Sequence, residues 1–276
     1  SAAGTFTIPP RVAALSPDAK WLYLAGYFWS FKFLVDGFHG VVRVPVGAGP
    51  DAKPEIFAGT MSDRTPSSNP GRFSYASSVA CDAQGRVYVA DYMNDRVQIF
   101  SPEGAVLKTL ATPKPAHVEV DPRSGEICVF SWTIRNDVLD QVAAKQSSGP
   151  NKFSIPATVT TYGPFDQPDK RAAQPLPLDN YTGQVGHYDF DGRGGHQYRV
   201  AMDFWANPPT LWVSPDGAAE LRLFTLKDGQ WTVKRDFKKD VVKSGVTTRL
   251  LPYRRWRLYA NPANGNLLLA EGLPAD

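Results

Sequence analysis

An all-β fold built from repeated four-stranded antiparallel sheets is what this sequence predicts, on three observations. Short runs alternate apolar and polar residues with the period of two that a half-buried strand requires. Each run is closed by a turn signal of Asp, Asn, Pro or Gly. The unit recurs along the 276 residues. Its most regular copy begins Ser77-Ser78-Val79-Ala80-Cys81, turns through Asp82-Ala83-Gln84-Gly85 and returns as Arg86-Val87-Tyr88-Val89-Ala90-Asp91. It turns again at Asn94-Asp95, runs through Arg96-Val97-Gln98-Ile99-Phe100, turns at Pro102-Glu103-Gly104 and closes with residues 105–110. Four short antiparallel strands in about 40 residues make one blade of a β-propeller.

Weaker copies flank this one at residues 11–26, 116–131, 199–214 and 257–272. Each is an apolar strand, a turn opened by a small polar residue, and a strongly apolar strand. The openers are Ser16, Asp82, Asp121, Asp203 and Asn261. Such side chains accept hydrogen bonds from backbone N–H groups two positions on and so close the turn. The innermost strands of successive blades are therefore expected at residues 12–15, 78–81, 117–120, 200–203 and 257–260.

The stretch from Phe73 to Leu110 resembles an NHL repeat, with Gly85-Arg86-Val87-Tyr88-Val89-Ala90-Asp91 and Asn94-Asp95-Arg96-Val97 as its hallmark. The resemblance implies an NHL-like propeller of six blades. It also implies a structural role for Asp91, Asn94 and Arg96, tying the turn between second and third strands. The fifth copy stops after two strands, so the last blade is expected to be incomplete or shared, and Thr5-Phe6-Thr7-Ile8 offers a closing strand. The expected organisation is a single propeller domain over residues 1–276, or a fragment of a longer chain. Insertions are expected at residues 27–40, 60–75 and 136–186. The first is rich in aromatics, the second in Ser, Pro and Asn. The third holds a helix-like spacing of Val138, Leu139 and Val142 and then a Pro-rich, irregular stretch.

Composition excludes several classes. Hydrophobic residues at 42% and charged residues at 21% describe a globular chain rather than a disordered one. No apolar run approaches the ~18 residues of a membrane helix. A net charge of +3 does not argue for nucleic acid, and two cysteines cannot build a disulfide scaffold. The opening Ser-Ala-Ala-Gly suits a mature exported protein, which points to a secreted or periplasmic location.

Chemistry concentrates in few places. His187, Asp189, Asp191 and His196 lie in a Gly-rich stretch with the residue types that hold calcium or zinc. NHL propellers include peptide-amidating lyases that hold zinc with histidines near the channel, and the resemblance makes His117, on an inner strand, a candidate. There is no Gly-x-Ser-x-Gly elbow, Walker loop or Gly-x-Gly-x-x-Gly. Residues 228–257 carry nine basic side chains against three acidic ones. Arg254, Arg255, Trp256 and Arg257 combine guanidinium and indole groups suited to stacking on sugars or bases. Trp29 and Phe31, in the first insertion, are the aromatic candidates for an interface. Cys81 and Cys128 are expected to be inert thiols. The sequence therefore favours a non-catalytic binding or scaffolding propeller with a protein or glycan partner, within a larger exported protein or complex. The alternatives are a metal-dependent lyase or hydrolase at the channel, and a polyanion- or RNA-binding module. Elemental analysis and salt-dependent heparin retention separate the three.

Overall fold

A computed structural model of the chain describes residues 7–8, 10, 12–26, 28–29, 39–47, 49, 52–60, 67–132, 155–178, 198–215, 221–237, 239, 256–260 and 267–271. The chain divides into two compact units, Ser1–Leu176 and Pro177–Asp276.

The first unit opens with β1 (Thr7–Ile8), β2 (Val12–Leu15), β3 (Trp21–Ala25), β4 (Phe28–Trp29), β5 (Gly40–Pro45) and β6 (Glu55–Gly59). Strands β2-β3-β5-β6 form the first sheet, while β1 pairs with β4. The second sheet is β7 (Ala76–Cys81), β8 (Val87–Asp91), β9 (Arg96–Phe100) and β10 (Val106–Ala111). The third is β11 (Pro115–Val120), β12 (Ile127–Ser131), β13 (Thr158–Tyr162) and β14 (Lys170–Pro175). In the second unit, β15 (Tyr198–Asp203), β16 (Thr210–Pro215), β17 (Arg222–Lys227) and β18 (Gln230–Asp236) form a fourth four-stranded sheet. There β19 (Trp256–Ala260) pairs with β20 (Leu267–Glu271). Every pairing is antiparallel between sequence neighbours, apart from the excursion of β4 out of the first sheet.

The alternation in the sequence decides what lies between sheets. One face of the first sheet buries Tyr23, Ala25, Val41 and Phe57 against Phe73 of the connection before β7 and Val79, Val87, Val89 and Phe100 of the second. The opposite face of the second sheet, with Tyr88, Ala90, Val97 and Ile99, meets Val118, Val120, Ile127, Val129 and Tyr162 of the third. Tyr23 and Phe57 meet edge to face at 4.8 Å between centroids, and Phe57 meets Phe100 at 5.9 Å. The first strands of the three sheets stand side by side, β2 against β7 and β7 against β11. Face-to-face stacking of meanders around neighbouring first strands is the blade arrangement of a propeller.

Cations bridge the outer parts of these stacks. Arg43 lies 4.1 Å over Trp21 and donates to the Pro102 carbonyl of the next sheet. Arg86 and Lys108 of the second sheet lie 4.1 and 4.3 Å from the ring of Phe165, in the β13–β14 turn of the third.

Register sets a second apolar face on the first sheet. Ala13, Leu24, Val42 and Ile56 form one cross-strand row, and Leu15, Leu22 and Val44 the next. Leu15 and Ile56 are 53% and 45% exposed.

The turn openers act as their chemistry requires. Ser16 Oγ accepts from Trp21 N, Asp82 Oδ1 from Gln84 N and Arg86 N, and Asp121 Oδ1 from Arg123 N. Asp203 Oδ1 accepts from Trp205 N and Ala206 N. Asn261 lies outside the described residues.

The observed first strands cover the expected spans with one or two residues added at their starts where they differ. The third insertion differs more. Two strands, β13 and β14, lie inside 136–186 and complete the third sheet. Thr158-Val159-Thr160-Thr161-Tyr162 is β-branched rather than alternating. Lys170–Pro175 is an outermost strand of Lys, Arg, Ala, Ala, Gln and Pro whose side chains are exposed or half-buried. A charged edge protects a sheet but leaves no apolar period to read. The helix expected near Val138 lies outside the described residues.

Candidate functional site

Connections in the first unit sort by end. Turns 16–20, 46–54, 82–86, 101–105, 121–126 and 163–169 link first strands to second, or third to fourth. They gather at one end: a Cβ on Gly85 would stand 3.3 Å from Pro102 and 3.9 Å from Pro17, and one on Gly125 3.2 Å from Pro164. Antiparallel geometry sends the remaining connections to the other end. These are 26–39, 60–75, 92–95, 112–114 and 132–157, so each connection of the unit longer than nine residues leaves from the end where the first strands begin.

The described part of 60–75 is held there by the hallmark residues of the second sheet. Asp91, fully buried, accepts at Oδ1 from Ser74 N at 2.9 Å and at Oδ2 from Asn94 Nδ2 at 2.7 Å and Arg96 Nε at 2.8 Å. Arg96 also donates to the carbonyls of Ser68, Asn69 and Arg72, and Asn94 to that of Ser67. Gln98 donates to Arg72 O and accepts from Gly71 N. Asp95, in the left-handed region at φ 53°, turns the chain and pairs with Lys114 at 2.8 Å. Burial pushes the Asp91 carboxyl above the usual range, and the Asn94, Ser74 and Arg96 donors offset this only in part. Through Asp91 these residues tie the β8–β9 turn, the structural role the resemblance implies, and they also anchor the 60–75 connection, which it does not imply.

His117 lies on β11. Its Nδ1 is 3.1 Å from Ser78 Oγ on β7, and its Nε2 is 3.1 Å from Glu119 Oε1. Val118 N donates to the same Ser78 oxygen at 3.2 Å. His117 thus joins the first strands of two sheets. Among the described residues, no three His, Cys, Asp or Glu side chains converge as a metal group. His187, Asp189, Asp191 and His196 lie outside the described residues, as do Phe31, Arg254 and Arg255. Trp29 falls on β4, and Trp256 and Arg257 on β19, as backbone positions only.

Both thiols are free. Burial first, and then the negative charge of Asp82, pushes Cys81 up to about 12. Burial, followed by Glu119, does the same to Cys128. A thiol reagent at pH 8 is therefore expected to titrate neither cysteine in the native chain and both in denaturant. Rapid native labelling of either would contradict this assignment. Two features escaped the sequence pattern altogether: the buried His39 before β5, and Trp205, which stands 73% exposed after its Asp203 turn. The Asp203 opener was the available signal for the second. No helix among the described residues is long and apolar enough to cross a membrane.

No family model matches this chain, and no curated protein does. Solved structures similar to it are β-propellers. Hydrazine synthase from Kuenenia stuttgartiensis is 12% identical, with a TM-score of 0.48 over 98% of this chain and 58% of that one. A gluconolactonase from Xanthomonas campestris is 18% identical, with a TM-score of 0.47 over 85% and 62%. The nidogen–laminin complex gives 14% identity and a TM-score of 0.42 over 80% and 65%. The chain spans less than two thirds of each.

Proposed function

We propose that the chain is a non-catalytic binding or scaffolding propeller of NHL type, working within a larger exported protein or complex. Its protein or glycan partner is held at the end where the first strands begin. The observation that carries this reading is that the long connections of the first unit leave from that end, on blades whose polar groups serve turns and inter-sheet contacts. Loops displayed by a rigid scaffold are where propellers, like other frameworks, place recognition. Trp29 and Phe31 sit in the first of these connections and are the anchors we assign, since buried aromatics dominate binding energy at interfaces.

The test compares the chain with a Trp29→Ala/Phe31→Ala variant on arrays of glycans and extracellular proteins. Saturable binding that the variant loses, at unchanged Tm, is the expected result. Turnover of a substrate that depends on stoichiometric zinc or calcium would replace this reading with the metal-dependent lyase or hydrolase.

A further inference from the structure

We draw no further inference here: the strongest candidate, the second apolar face of the first sheet, where Leu15, Leu22, Leu24, Val42, Val44 and Ile56 lie in adjoining cross-strand rows, carries nothing, because nothing among the described residues shows what covers it.

Discussion

Arg96→Ala is expected to destabilise the chain by about 3–5 kcal/mol, the usual cost of stripping the partner from a buried charge. Asp91 is completely buried and Arg96 mostly so, at 0% and 13% side-chain exposure. Removing Arg96 also takes a donor from the carbonyls of Ser68, Asn69 and Arg72 in the second connection, of which Arg72 keeps Gln98. The sign of the pH dependence follows from Asp91. Burial already raises its carboxyl above the ordinary value, and losing the cation raises it further. A group whose folded pKa exceeds its unfolded one contributes stability at low pH and loses it as pH rises through the folded value. The Arg96→Ala defect should therefore deepen from pH 5 to pH 8. Arg96→Lys should recover part of it, because the charge returns without the fork that reaches three carbonyls. Urea unfolding at both pH values is the measurement. A loss below 1 kcal/mol, or a defect that shrinks as pH rises, would show that Asp91 is held by Asn94 and the backbone alone.

The second blade was legible because each of its residues obeys a local rule. Its apolar positions alternate, Asp82 and Asn94-Asp95 mark turns, and Gly85 and Gly104 adopt φ of 80° and 95°, where side chains fit poorly. The second strands β8 and β12 were legible because they are buried throughout and correspondingly apolar. What hid was held by distant partners. Strand β14 has no apolar period of its own and is fixed by pairing with β13. The clamp from Arg96 to residues 68–72 joins positions more than 20 apart, which no turn rule anticipates. His117 was readable as an inner-strand residue, but its partner Ser78 lies 39 residues away on another sheet. The metal and binding residues named from the sequence sit in connections, where residue type signals chemistry but no period signals placement.

His39 is expected to withdraw about 3 kcal/mol of stability as pH falls from 6.5 to 4. His39 is buried at the end of the 26–39 connection, and burial takes its imidazole from the ordinary 6.5 down to about 4. The site is tight. Gly40 pairs with Gly59, whose φ is 90°, and a Cβ on Gly59 would collide with the His39 carbonyl. A histidine with a depressed folded pKa binds fewer protons folded than unfolded. Stability is therefore complete above the unfolded value and drains away as pH falls toward the folded one. Among the described residues, the shifted buried carboxyls do not mimic this within that window. Burial tends to raise Asp121, but the Arg123 amide, Ser124 and the Arg123 guanidinium outweigh it, so the stability it contributes is lost only below the ordinary carboxylate range. Asp91, with its raised pKa, acts in the opposite direction. His39→Gln removes the titrating ring while keeping a polar side chain of similar size. The parent should lose stability relative to this variant as pH falls from 7 to 4.5, whatever their offset at pH 7. Parallel pH profiles for the two proteins would mean that His39 titrates alike in both states and that the acid sensitivity lies elsewhere.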